Sequence, residues 1–194
     1  MEKSKTKKED LRIRRTHKLL REALFALLET KSFDEISVVD ICDKAMVHRA
    51  TFYKHFKDKY EFMEYAAKEK IRELYYSNIE HGHFTDVNDM YRSLIPTVLT
   101  FIEENKNVFL VSAASAETSS FISLQKIIAD ELIGLLDDAL NSKEVSVPLE
   151  VVANFLAGGF IALARWWVVN DNEYSKEAMS EYIEKMLLNS QNDL

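Results

Sequence analysis

Only four glycines and two prolines interrupt the 194 residues of this chain. Breakers this scarce leave long segments in which nothing disfavours a helix, and Leu, Glu, Lys and Ala fill most of them. Apolar residues make up 47% of the sequence, enough to bury a sizeable core. No segment shows the strict alternation of a strand, and no repeat stands out. The predicted fold class is all-α, with about nine helices.

The helices can be placed from periodicity and caps. Leu19, Leu20, Ala23, Leu24, Leu27 and Leu28 form the stripe of a helix over 11–28. In KSFDEISVVDICDKA, Ser37 and Asp40 have the spacing of a capping box, and Ile36 is placed to staple onto the helix that follows. That helix runs to about Lys44, with Val38, Ile41 and Ala45 on one face. Ala45, Met46 and Val47 then separate it from HRATFYKHF, residues 48–56. There Phe52 and Phe56 share the buried face, and His48, Arg49, Thr51, Tyr53, Lys54 and His55 fall elsewhere. Asp58 and Glu61 restart a helix that extends to about Ile79, and His81-Gly82-His83 breaks it. Further helices are predicted at about 86–104, 106–116, 118–141, 147–171 and 175–190. Pro96 should kink the first of these, Pro148 suits the first turn of the fourth, and Ser175 caps the last.

Charge divides along the chain. Residues 1–60 hold 15 Lys and Arg against 10 Asp and Glu, a net of +5; residues 61–194 hold 10 against 22, a net of −12. A basic module that meets a polyanion, joined to an acidic body that does not, fits this asymmetry. Within the module, HRATFYKHF contains no acid, and with the short helix before it forms two helices joined by a three-residue turn. That is the pattern of a helix-turn-helix, whose second helix enters the major groove of DNA.

The stretch ISVVDICDKAMVHRATFYKHFKDKYEFM resembles the DNA-binding segment of TetR-type transcriptional regulators. Ser37, Ile41, Val47, Thr51, Phe52, Tyr53, Phe56 and Lys59 all fit that pattern, and the match is sharp over about residues 15–64. Met46 departs from it, standing where glycine is usual, so the turn must close without glycine's ease at positive φ. His48 also departs, replacing a small capping hydroxyl. The resemblance implies a DNA-binding domain over residues 1–57 and a helical effector-binding and dimerisation domain over 58–194. Carried over by position, Ser37, Tyr53 and Lys59 contact phosphates. Arg49, Thr51 and His48 address base edges, with Lys54 and His55 beside them. Lys5, Lys7, Lys8, Arg12, Arg14 and Arg15 form a basic arm, either solvated or following the DNA backbone.

For the body, the resemblance implies that the last two helices of two chains pack as a four-helix bundle. Val152, Phe155, Leu156, Gly159, Phe160, Leu163, Trp166 and Trp167 exceed what one amphipathic helix needs for its own core, and Tyr182 and Met186 extend the stripe on the last helix. Gly158-Gly159 would allow close approach of another helix. An effector site is implied between the fourth and eighth helices, with Tyr75, Tyr91, Phe109, Phe121 and Trp166 as lining candidates; Arg165 either receives an anionic ligand or is held in a salt bridge or at the surface. The segment GGFIALARWWVVNDNEYSKEAMSEYI faintly resembles the branch that includes regulators of dihydroxyacetone kinase operons, in which a protein coactivator can replace the small effector.

The predicted function is a regulator, most simply a repressor, that binds a palindromic operator as a homodimer under control of an unknown small-molecule effector or protein coregulator. No cofactor, metal or enzymatic activity is expected. Cys42 lies beside Ile41 as a buried, inert thiol, and His81 with His83 makes too weak a metal site. The charged amino terminus has no signal-peptide pattern. The most apolar window, 151–169, is interrupted by Asn154 and Arg165. A cytoplasmic protein with no membrane span is expected.

Overall fold

The computed structural model describes residues 2–77, 87–114, 119–140, 147–170 and 173–188, with side chains over 11–77, 88–111, 124–138, 147–170 and 173–187. Among these residues the chain forms nine α-helices, one 3-10 turn and no strand. The chain divides into two compact units, Met1–Ala66 and Ala67–Leu194.

The first unit contains α1 (Glu2–Leu28), the 3-10 turn Phe33–Glu35, α2 (Val38–Ala45), α3 (Arg49–Phe52) and the first half of α4 (Lys59–Tyr76). Its caps follow the sequence. Asp40 N–H donates to Ser37 Oγ at 3.1 Å, and Ser37 N–H donates to Asp40 Oδ2 at 2.9 Å, a closed capping box at the start of α2. Ile36 and Ile41 are both buried, as a hydrophobic staple requires. Asp58 Oδ1 accepts from the backbone N–H groups of Tyr60 and Glu61, each at 2.9 Å, and opens α4. Leu20 and Leu24 of α1, Ile41 of α2, Phe52 of α3 and Phe62 of α4 are fully buried together in this unit's core.

The turn between α2 and α3 closes in the conformation that the usual glycine would take. Met46 adopts φ 53°, ψ 41°, so a residue with a Cβ occupies the left-handed region that glycine usually fills. Its N–H donates to the Asp43 carbonyl at 3.2 Å, and the Val47 N–H to that of Cys42 at 2.9 Å, which closes α2. The side chain is 90% exposed, so the strain is local to the backbone.

The second unit contains the rest of α4, α5 (Val87–Glu104), α6 (Lys106–Ala114), α7 (Ser119–Leu140), α8 (Leu149–Val169) and α9 (Lys176–Leu188). One core joins Tyr75, Met90, Ala129, Leu135, Leu136, Ala153 and Ala157; a second joins Ile95, Leu99, Ile102, Ala164, Trp167, Val168, Met179 and Ile183. Alanines at 153 and 157 let α8 lie close to α7. A Cβ added at Gly158 would meet Gln125 Nε2 of α7 at 3.1 Å, so this glycine serves an intrachain approach rather than a second chain. Trp167 Nε1–H donates to the Tyr174 carbonyl at 2.8 Å and ties the end of α8 to the start of α9. Ser175 Oγ accepts from the Ala178 N–H at 3.2 Å, the expected cap. Pro148 is the N-cap of α8 rather than a first-turn residue, and α5 continues on both sides of Pro96.

The left-handed Met46 leads to a prediction. A non-glycine residue in that region costs roughly 1–2 kcal/mol, while glycine loses about 0.5–1 kcal/mol more chain entropy on folding. Met46→Gly should therefore raise the unfolding free energy by up to about 1 kcal/mol. Urea denaturation checks this, and a lowered midpoint would refute it.

Candidate nucleic-acid interface

A helix as short as α3 is held from beneath. Phe52 is completely buried, and its ring centroid lies 5.5 Å from Phe56 and 5.4 Å from Phe62, while Phe56 and Phe62 meet at 4.8 Å. With these rings fixed, the opposite face projects outward. His48, Arg49, Tyr53 and Lys54 are exposed, and Thr51 is half-buried between the two faces. His48 is the N-cap of α3 but makes no side-chain cap hydrogen bond, so its imidazole is available outward. Ala50, absent from the sequence-derived set, is exposed on the same turn. A small apolar side chain carries no charge or aromatic signal, yet it suits contact with a thymine methyl group.

Three residues sit differently from expectation. His55 is half-buried and turns inward, 4.8 Å from the ring of His17 in an edge-on contact. The Ser37 hydroxyl is engaged by Asp40 both as acceptor and as donor. Lys59 does not extend toward solvent. Its Nζ donates to the carbonyl oxygens of Phe33, Asp34 and Ile36. Of the basic arm, Arg12, Arg14 and Arg15 are exposed on α1; the side chains of Lys5, Lys7 and Lys8 lie outside the described residues.

In the second unit the effector candidates are not gathered into one cavity. Tyr75 is buried in one core, Tyr91 packs against both, and Phe109 packs against the other. Burial raises the phenol pKa of both tyrosines. Trp166 is 43% exposed and stacks on Tyr174 at 6.1 Å, on the outside of the unit. Arg165 is half-buried and engaged. The side chain of Phe121 lies outside the described residues, as do His81 and His83. Among the described residues no cluster of acidic, His or Cys side chains is suited to a metal. Cys42 is buried, and burial raises its thiol pKa, which suits an inert thiol. A groove of about 270 Å³ lies between α4 and α5, lined by Lys70, Leu74, Pro96, Thr97, Thr100, Phe101 and Glu104. It falls below the roughly 300–1,000 Å³ of sites that enclose drug-sized ligands.

The expected dimer residues separate by face. Leu156 and Trp167 are buried within the chain, and Val152, Phe160 and Leu163 pack against the two cores. Phe155, Gly159, Tyr182 and Met186 face outward. They are joined there by Val151, Ala162, Trp166 and Val169, giving α8 an exposed apolar stripe one position out of register with much of the predicted one. A helix apolar on every side gives no periodic signal to choose between its faces.

Residues 89–189 match the family model described as the transcriptional regulator C-terminal region TetR_C_8. Residues 20–66 match that of the bacterial regulatory proteins of the tetR family. This chain belongs to the TetR family of transcriptional regulators, with a DNA-binding helix-turn-helix. An uncharacterized HTH-type transcriptional regulator YxbF of Bacillus subtilis (strain 168) is 23% identical over 167 residues, covering 84% of this chain. The chain spans 42% of the length of that curated relative. Among solved structures, the regulator FadR from Bacillus subtilis in complex with stearoyl-CoA aligns with TM-score 0.60 at 18% identity, covering 88% of this chain and 96% of that one. The dihydroxyacetone kinase operon activator DhaS aligns with TM-score 0.61 at 19% identity, covering 90% and 95%. At these identities the likeness speaks to the fold, and the two branches match equally well.

Beneath the interface, His17 is enclosed by His55, Phe56 and Tyr65, and its Nδ1 lies 3.2 Å from the Tyr65 hydroxyl. Its buried Nε2 has no hydrogen-bond partner among the described residues. Burial lowers its pKa, and electrostatic interaction with His55 and Arg21 lowers it further. The folded state thus favours neutral His17, and the unfolded chain binds the proton more readily. This contribution to stability is complete above the unfolded pKa of about 6.5 and is lost as pH falls through the folded value. Unfolding free energy should fall as pH drops from 7 toward 5, and His17→Leu should flatten that segment of the curve. Equal slopes in denaturant titrations of both proteins would refute the assignment.

Proposed function

We propose that this chain is a repressor that binds a palindromic operator as a homodimer, with affinity controlled by a metabolite in the second unit. The observation that carries the DNA reading is the outer face of α3. His48, Arg49, Tyr53 and Lys54 project from α3 and its two ends with no acid among them, a surface suited to base edges and phosphates. Thr51 and Ala50 complete the base-reading set, while Ser37, at the start of α2, and the arginines of α1 serve the backbone. His55 acts from the edge of this surface. A cytoplasmic site of action follows from operator binding.

The exposed stripe of α8 with Tyr182 and Met186 supports dimerisation. Phe155 is 71% exposed and Met186 62%, unusual for such side chains unless another surface covers them. A two-fold pair would place two α3 helices about 34–36 Å apart, in successive major grooves. For the effector, a compound with a long apolar chain fits best, as in the FadR neighbour bound to stearoyl-CoA. Such a ligand would have to part the residues Tyr75, Tyr91, Leu94, Leu132 and Leu136, which are packed together as a core. Residues of α4 belong to both units.

Two substitutions test the reading. Arg49→Ala should narrow the gap between operator and random DNA by about 1–3 kcal/mol if its guanidinium makes a bidentate base contact. An unchanged ratio in competition titrations would make it a backbone contact. Nothing lies within 4 Å of a Cβ built on Gly159, so Gly159→Glu is harmless to the isolated chain. In a dimer centred on this face it buries a charge and costs several kcal/mol. Sedimentation should then show a folded monomer with lost operator affinity; a variant that stays dimeric would place the interface elsewhere.

A further inference from the structure

Lys59 opens α4, yet its ammonium reaches back to the junction between α1 and α2. It donates to the carbonyl oxygens of Phe33, Asp34 and Ile36 at 3.0, 2.9 and 2.8 Å. These acceptors lie along and just past the 3-10 turn; the Phe33 carbonyl also takes the Ile36 N–H at 3.2 Å, so Lys59 adds a second donor there. An ammonium has three protons, so this set can engage all of them. The same nitrogen stands 4.9 Å from the centroid of the Phe33 ring and 5.5 Å from that of Tyr60, and the two rings meet edge to face at 5.5 Å. Carbonyl dipoles and ring faces both attract a cation. A phosphate would have to displace part of this shell.

What the shell holds is the start of the helix-turn-helix. Ile36, whose carbonyl takes the shortest of the three bonds, immediately precedes Ser37, the N-cap of α2. Upstream, Glu35 Oε2 accepts from the Ser32 N–H at 2.9 Å and from its hydroxyl at 2.7 Å, so the turn is closed on its other side too. On the α4 side, Asp58 fixes the first turn that carries Lys59. Without Lys59, the carbonyls of Phe33, Asp34 and Ile36 would lose a charged donor at one point.

We propose that Lys59 is a positioning residue. It pins the start of α2 to the start of α4, and so sets where the helix-turn-helix rides on DNA, while touching no phosphate itself. The assignment rests on the DNA-binding reading given above. Lys59 then affects affinity through geometry, whereas a lysine on a phosphate affects it through released counterions. The two modes differ in their salt dependence.

The test compares the full-length chain with Lys59→Met and Lys59→Gln by amide hydrogen exchange. Binding is measured over a KCl series to a random-sequence duplex and to a palindromic duplex recovered by selection. Circular dichroism confirms that each variant is folded under these conditions. Lys59→Met should speed exchange at the Glu35 and Ile36 amides by about tenfold or more, with α1 unchanged. It should weaken the palindromic duplex by about tenfold and leave the log–log salt slope unaltered. Lys59→Gln, neutral but with two N–H donors, should recover part of both losses, which no phosphate charge explains. A salt slope shallower by about 0.9 in Lys59→Met would make Lys59 a phosphate ligand and overturn the assignment. A uniform rise in exchange across α1 would mean general destabilisation and overturn it as well. Unchanged exchange overturns the assignment alone. A wild-type chain that binds neither duplex overturns the DNA-binding reading and the assignment with it.

Discussion

A helix of four residues has no stability of its own, because nucleating a turn costs more than one turn of hydrogen bonds returns. The position of α3 therefore depends on the interlock of Phe52, Phe56 and Phe62, with centroids 4.8–5.5 Å apart. Each buried ring contributes about 1.5–3 kcal/mol by removal from water, and each aromatic pair about 0.5–1.5 kcal/mol more. The side chains that face outward on α3 add little of this. Their placement is inherited from the rings below, so the surface is free to be basic and polar. His17 and Tyr65 extend the same aromatic floor beneath His55.

The second unit solves a different problem. Its α8 is apolar enough, with a mean hydropathy of 1.5, to qualify by length and composition as a membrane-crossing helix, yet only 33% of that window is buried within the chain. Two faces account for this. Ala153, Leu156, Ala157, Ala164, Trp167 and Val168 turn inward, and Val151, Phe155, Trp166 and Val169 turn outward. The adjacent glycines divide the same way: Gly158 approaches Gln125, and Gly159 lies on the open side. A second copy covering the open side would explain the composition without a lipid phase, and Asn154 and Arg165 sit poorly in one.

Much of the first unit is legible in the sequence because its signals are local. The Ser37–Asp40 box, the Asp58 cap and the spacing of Phe52 and Phe56 each operate within four residues. What escapes is set by tertiary contact. Nothing in a Lys at the head of a helix states that three carbonyls more than twenty residues upstream will take its protons. The left-handed Met46 is legible only through the resemblance, which places glycine there; an exposed methionine by itself gives no hint of positive φ. On α8, uniform hydropathy removes the periodicity that separates an inner face from an outer one. The effector candidates are mostly aromatics, and aromatics fill cores as readily as they line cavities. Tyr75 does the former, and Trp166 lies outside altogether.

The bonds of Lys59 also bear on the order in which the first unit can assemble. They join positions separated by 26, 25 and 23 residues. Closing a loop of that size carries an entropic cost that must be met before the contacts return anything. The α1–α2 junction thus cannot complete its hydrogen bonding until the first turn of α4 has formed. The helix-turn-helix is therefore not a separable piece that folds first and is later buttressed. Its geometry, and the first half of α4, should appear and disappear together as one cooperative unit.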